Sequence, residues 1–172
     1  MMDVLPLLRR ARLDDAADIL LLYRRVAQVP GGLERLAHEI DEAYVNRFVE
    51  RAHVCGIEML AIDPELGLVG EIHASPSPLH VFSHVLTDLT IAVDPIAQGR
   101  GVGRRLFEAL LEQVRTAHPE ILRVELIASA SNRRAISLYT SLGFEQEGEM
   151  RGRIRTPEGG FESDIPMAWH RS

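Results

Sequence analysis

Apolar residues recur along this chain at two spacings, every second residue or every third and fourth, and the switches between them mark out the elements. The longest helical run is Val102, Leu106, Leu110 and Val114, widened by Phe107 and Leu111 into one amphipathic stripe. Ahead of it, Val85 to Val93 alternates Leu89, Ile91 and Val93 with Asp88, Thr90 and Ala92, a strand that Pro95 stops. Behind it, His118-Pro119 closes the helix and Ile121 to Ala128 reads as a second strand rich in Val, Leu and Ile. Strand, helix, strand in that order is a right-handed crossover, so these two strands are expected to lie parallel.

The remainder extends this unit. Val4 to Arg12 reads as a first strand, and Asp14 as the cap of a helix reaching about Gln28. Val29-Pro30-Gly31-Gly32 breaks it, and a second helix is expected from Leu33 to about Arg51, with Leu36, Ile40, Tyr44 and Phe48 on its face. Val54 to Ile62 and Leu66 to Ala74 form a hairpin around Asp63-Pro64-Glu65. Its second strand sets Glu71 and His73 on one face, where they could bind an amine or take its proton, or else form the solvated face of an antiparallel sheet. Ser75 to His84 is a loop carrying His80 and His84. A helix follows from Asn132 to Gly143, and a hairpin of Phe144 to Arg151 and Phe161 to Trp169 closes the chain. The expected fold is α/β: a mixed sheet of six or seven strands with about four flanking helices, in a single domain spanning 1–172.

Composition narrows the chemistry. The 19 basic residues, all arginine, stand against 25 acidic ones for a net charge of −6, which argues against nonspecific nucleic-acid binding. Cys55 is the single cysteine, so neither an internal disulfide nor a thiolate zinc site is available. It lies in an apolar run and is expected in a buried strand. No apolar stretch reaches 18 residues and no charged-then-apolar leader is evident, so a soluble, cytoplasmic protein without membrane contact is expected. Gln98-Gly99-Arg100-Gly101-Val102-Gly103 sets three glycines at a helix start, where unpaired amides and the positive end of the dipole make an anion site. Arg100, Arg104 and Arg105 add cations there. With no lysine anywhere the turn is not a P-loop, and its spacing and position do not suit a dinucleotide fold.

Gln98 to Gly103 resembles the Gln/Arg-x-x-Gly-x-Gly/Ala signature of the GNAT family of acyl-CoA-dependent N-acyltransferases. The run Asn132, Ala135, Tyr139 and Leu142-Gly143-Phe144 resembles that family's second hallmark. The resemblance covers roughly Arg9 to the C-terminus and is strongest from Leu86 to Phe144. It implies that Gln98, Gly99, Arg100, Gly101, Val102, Gly103 and Arg104 hold the coenzyme A pyrophosphate. It also implies that Ile91, Ala92 and Val93 belong to a bulged strand splayed from its parallel neighbour, into which the pantetheine arm enters. An amide near Val93 would hold the thioester carbonyl, with Asn132 and Ala135 along the arm.

The resemblance further implies transfer of an acetyl group from acetyl-CoA to a primary amine by direct attack, with Tyr139 as the acid that protonates the departing thiolate. A phenol near pKa ~10 cannot serve as the base. Glu71, Asp88, His73 and His84 compete for that task. The first two helices and their connection would wall the acceptor site, the connection acting as a lid or as an ordinary link. The acceptor is a small-molecule or peptide amine, no metal is implied, and a homodimer is a candidate assembly. The rival reading is a module that senses acyl-CoA without turnover.

Overall fold

The computed structural model describes residues 5–172. A single mixed sheet runs through the molecule with two helices on each face. Its strands are β1 (Leu7–Arg10), β2 (Ile57–Asp63), β3 (Gly67–Pro76), β4 (Val85–Val93), β5 (Arg123–Ser129), β6 (Glu145–Gln146), β7 (Met150–Arg155) and β8 (Phe161–His170). They are ordered β1-β2-β3-β4-β5-β8-β6, with β7 also on β8. All neighbours are antiparallel except β4 and β5, which are parallel as the crossover requires. The expectation of six or seven strands falls short of eight because the strand beside β8 is broken between Gln146 and Met150 into β6 and β7.

The helices are α1 (Ala16–Ala27), α2 (Glu42–Cys55), α3 (Val102–Ala117) and α4 (Arg133–Ser141). α3 and α4 cover one face, where Leu106, Phe107, Leu110 and Val114 meet Ile72, Val124, Phe144 and Trp169. Each such side chain contributes roughly 1.5–3 kcal/mol by leaving water. On the other face α1 and α2 bury Ile19, Leu22, Tyr23, Val45 and Val49 against Leu60, Leu68 and Ala92. Among the described residues no helix is long and apolar enough to cross a membrane.

Three boundaries differ from expectation. Val4 lies outside the described residues, and the chain enters α1 through a 3-10 turn in which Asp15, not Asp14, accepts the Arg12 amide at 2.7 Å. The second helix starts at Glu42 and not at Leu33, since Asp41 caps the Tyr44 amide at 2.7 Å while Gly31 in the left-handed region turns the chain away. That helix then runs on to Cys55, which is exposed at its end and not in a buried strand. α4 ends as expected: Gly143 at φ 93° lets the Phe144 amide reach the Tyr139 carbonyl at 3.0 Å.

Candidate active site

The centre of the sheet is pried open. On β4 the register steps from Thr90 opposite His73 to Thr87 opposite Ser75, three residues against two, so one extra residue is held in a bulge at Asp88–Leu89. Asp88 takes φ 52°, the single non-glycine positive φ among the described residues, and Arg51 of α2 grips its carboxylate at 3.0 Å. Beyond the bulge β4 leaves β5: their pairing consists of Val85 with Arg123 and Leu86 with Val124. Backbone register then dictates what lines the gap. The Asp94 amide bonds the Val69 carbonyl at 2.9 Å, so Ala92 and Thr90, two and four residues back, also turn their amides to β3. The amides of Ile91 and Val93 therefore point away from β3, into the gap. Ala92 is the exception among the three strand residues implied: its backbone belongs to β3 and its fully buried side chain lies under α1 and α2.

The gap opens onto the glycine turn. A 3-10 turn, Pro95–Ala97, is capped by Asp94 through the Ile96 amide at 3.1 Å, and Asp94 is in turn held by Arg25 of α1 at 2.6 Å. Gly99 and Gly101 follow at φ 82° and 77°. Gly101 is the N-cap of α3, and the Arg105 amide to the Gly101 carbonyl, at 3.1 Å, is the first bond back along the helix. The amides of Val102, Gly103 and Arg104 thus have no carbonyl in the helix to meet. A Cβ at Gly101 would stand in open space, and one at Gly103 would come 3.8 Å from Ile91 Cδ1 and Val93 Cγ2 and 3.9 Å from Leu138 Cδ2. Helix start, gap and α4 therefore share one groove, and its donor set fits a pyrophosphate followed by an extended arm.

The arginines divide their work. Arg100 reaches Asp63 at 3.3 Å, Arg104 ties α3 to Ser141 Oγ of α4 at 2.7 Å, and Arg105 donates to the Pro6 carbonyl at 2.7 Å, away from the turn. Gln98 donates to the Val93 carbonyl at 3.3 Å and so braces the corner. Arg134, which the motif reading passed over, brings its guanidinium within 3.9 Å of where a Gly99 Cβ would stand. The sequence marks it only as a cation in the first turn of α4; its closeness to Gly99 is a product of the tertiary fold.

α4 supplies the second wall. Asn132 is its N-cap, with Oδ1 accepting the Ala135 amide at 3.1 Å, and is exposed with its side-chain amide left to face solvent. Tyr139 lies two turns on, packed against Phe107 and Phe144 with ring centroids 5.0 and 6.2 Å away. Its hydroxyl makes no hydrogen bond among the described residues, and burial pushes the phenol up to about 12.

On the opposite face of the gap the expected polar strand edge is covered. Glu71 is 0% and His73 5% exposed, because α1 and α2 lie over them, so the solvated-face alternative fails. Tyr23 Oη donates to Glu71 Oε2 at 2.6 Å, and His73 Nδ1 meets Glu71 Oε1 at 3.0 Å. Phe48 stacks on the imidazole at 4.0 Å between centroids. Glu58 of β2, absent from the sequence reading, stands beside His73 in register and is buried; desolvation and the neighbouring Glu71 raise its carboxyl to about 9, so it is protonated at neutral pH. A buried polar pair on a strand resembles a solvated one by alternation alone, which is why the sequence left the matter open.

The other two base candidates fare differently. Asp88 is at the gap but engaged by Arg51. His84 is exposed at the closed end, its carbonyl accepting the Leu122 and Arg123 amides at 2.9 and 3.2 Å, and it is not brought to the gap's open end; His80 is in the adjoining 3-10 turn, likewise exposed. In the segment between α1 and α2, desolvation and then the nearby Asp164 of β8 raise the Glu34 carboxyl. Asp164 pairs with Ser129 at the end of β5 and is bridged by Arg153 at 3.2 Å, so this segment reaches across to the far side of the gap.

The chain is similar to known proteins in sequence and in fold. The chain is 43% identical over 82 residues to the ribosomal protein bS18-alanine N-acetyltransferase of Salmonella typhimurium, covering 48% of this chain and 53% of that protein. It is 38% identical over 61 residues to a kanamycin resistance protein of Rhizobium radiobacter, covering 36% and 52%. The chain thus spans about half the length of the curated relatives it matches. Among solved structures, a ribosomal-protein-alanine N-acetyltransferase from Brucella melitensis superposes with a TM-score of 0.82 at 24% identity, covering 96% of this chain and 99% of that one. A phosphinothricin acetyltransferase from Sinorhizobium meliloti, solved with acetyl-CoA, gives 0.83 at 20% identity over 96% and 88%; both show a common fold. The acetyltransferase (GNAT) domain family matches residues 38–146, which hold the bulged strand, the glycine turn and the Asn132–Tyr139 helix, and the chain belongs to that family.

Proposed function

We propose that this protein transfers an acetyl group from acetyl-CoA to a primary amine by direct attack, with Tyr139 as the acid. The observation that carries the reading is the gap between β4 and β5, where the amides of Ile91 and Val93 are turned inward and lead to the open helix start at Gly101 to Arg104. Acetyl-CoA would supply the activated acyl group. The helix-start amides and Arg134 would hold its phosphates, and Leu138, Ile91 and Val93 would flank its arm. The gap amides would donate to the acyl oxygen and stabilise the charge that gathers there as the amine attacks. Tyr139, neutral throughout the working pH range, would hand its proton to the departing sulfur. A thiolate enclosed in the same apolar wall is a stronger base than the ordinary value near ~8.5, which brings the two proton affinities together.

The acceptor would enter beside the α1–α2 segment, where Glu34 and Asp164 stand, with the Glu71–His73 group buried behind it. Carboxyl-rich walls suit an ammonium, and the relatives named above are an alanine N-acetyltransferase of a ribosomal protein and a kanamycin resistance protein, so both peptide and small amines belong in the panel to be screened. A thiol-release assay with acetyl-CoA over such a panel tests the reading. Turnover with at least one amine is expected; coenzyme A binding with no product across the panel would favour a non-catalytic sensor.

A further inference from the structure

We infer that His73 Nε2 is the general base that takes the proton from the acceptor ammonium, with Glu71, Tyr23 and Glu58 as the buried groups that orient it; this rests on the transferase reading above. Four observations converge. The first is placement: Glu58, His73 and Thr90 form one row across β2, β3 and β4, on the face opposite α3, and Thr90 directly precedes Ile91, whose amide enters the gap. The second is the tautomer. Nδ1 faces the Glu71 carboxylate at 3.0 Å and the Tyr23 hydroxyl at 3.4 Å, and Tyr23 already spends its proton on Glu71 Oε2 at 2.6 Å. Nδ1 must then carry the hydrogen, which leaves the lone pair on Nε2.

The third is availability. Nε2 makes no hydrogen bond among the described residues, yet it is not one of the fully enclosed polar atoms left without a partner, which are Glu58 Oε1, His118 Nε2 and Asp164 Oδ1. The fourth is rigidity: Phe48 stacks on the ring and Tyr44 packs on both Phe48 and Tyr23, so the imidazole cannot turn its nitrogens around.

The groups around His73 are Tyr23 from α1, Phe48 from α2, Glu58 from β2, Glu71 from β3 and Thr90 from β4, with Tyr44 packed behind Tyr23 and Phe48. Glu71 is the anion that steadies the imidazolium once formed. Glu58, held neutral by burial beside Glu71, adds no second charge there. The protons balance. Nε2 removes one from the ammonium, freeing the lone pair that forms the C–N bond, and passes it to solvent. As the C–S bond breaks, Tyr139 protonates the sulfur, and the second nitrogen proton restores the phenol through water. The acceptor loses two protons, one retained on the thiol and one released.

The test is the pH profile of kcat/KM with one good amine in wild type, His73→Gln and Glu71→Gln, alongside coenzyme A binding and an ¹⁵N titration of the imidazole in the protein without acetyl-CoA. In His73→Gln we expect kcat lower by about 100-fold or more, the imidazole limb gone, and coenzyme A affinity within about two-fold. Glu71→Gln keeps the imidazole but removes the carboxylate that fixes its tautomer, so kcat falls by about ten-fold or more and the Nδ1-protonated form is lost from the ¹⁵N spectrum. A merely structural role for Glu71 would leave the tautomer unchanged. Should either variant fail to fold, the wild-type ¹⁵N spectrum decides: Nδ1 protonated and Nε2 titrating supports the assignment, and the reverse tautomer overturns it. Turnover in wild type with the limb unmoved in His73→Gln overturns the base and leaves the transferase standing. No turnover with any amine overturns both.

Discussion

Tyr139 of α4 and Gly103 of α3 each make a separable prediction. The Tyr139 ring belongs to the core through Phe107 and Phe144, while its hydroxyl is spare. Tyr139→Phe should therefore keep the fold and leave coenzyme A affinity within a few-fold, while slowing transfer by about 100-fold, read by thiol release; a variant with wild-type turnover would remove the acid role. An acid acts in its protonated form, and burial pushes this phenol up to about 12, so the acid role predicts no loss of wild-type kcat from this group as pH rises to about 10. Gly103 lies inside a helix and its Cβ position has ordinary van der Waals room. Gly103→Ala should then raise the stability of the ligand-free protein by about 0.5–1 kcal/mol in a denaturant melt. Gly103→Val should abolish coenzyme A binding in calorimetry, because the branch occupies the groove floor between Ile91, Val93 and Leu138. Undiminished binding would mean that the groove lies elsewhere. The sequence singled out both, Gly103 by its place at a helix start and Tyr139 by the family resemblance. Arg134 and Glu58 were not, since neither belongs to a local pattern and only the closing of the sheet brings them to the site.

At the level of elements, the sequence shows the crossover β4-α3-β5 clearly because its three hydrophobic rhythms are long and uninterrupted. The bulge was implied by resemblance alone, although a signal for it exists: Leu86 and Leu89 are three residues apart and yet both pack toward α3 and α4, so Thr87-Asp88 breaks the alternation. The second helix was misplaced for a related reason. Leu36 and Ile40 continue its stripe in the sequence, but they lie in an irregular segment whose length lets Glu34 reach Asp164. The strand row Glu58–His73–Thr90 leads to a stability prediction. Glu58 has a folded pKa near 9, above its unfolded value of 4.5, so the folded state holds an extra proton between those limits. The contribution is fully present below about pH 4.5 and declines as pH rises toward 9, with a slope of up to ~1.4 kcal/mol per pH unit. Glu58→Gln mimics the neutral acid without the titration. Its stability should match wild type near pH 5 and exceed it at pH 9, in urea melts at each pH; parallel curves would show that the carboxyl is not buried as a neutral group.

For the molecule as a whole, the sheet is a frame whose two halves, β1 to β4 and β5 to β8, are joined at Val85–Leu86 and otherwise held by α3, by the Arg104–Ser141 contact and by the core under α4. A ligand that fills the gap adds contacts to both halves at once, whereas one that meets only the helix start touches the margin of the seam. Linkage turns this into a measurable difference. A ligand at 100 times its Kd stabilises the folded state by about 2.7 kcal/mol, or roughly 5–11 °C in Tm for a domain of this size. Coenzyme A and acetyl-CoA should reach that shift at micromolar to low millimolar concentration. ATP offers phosphates to the same amides but has no arm for the Ile91–Val93 amides, and should give little at equal concentration. The comparison also separates the two halves of the site: Gly103→Val should lose the coenzyme A shift, and Tyr139→Phe should retain it. Equal protection by ATP and coenzyme A would mean that the glycine turn alone binds and the gap takes no part, and the transfer mechanism built on those two strands would fall with it.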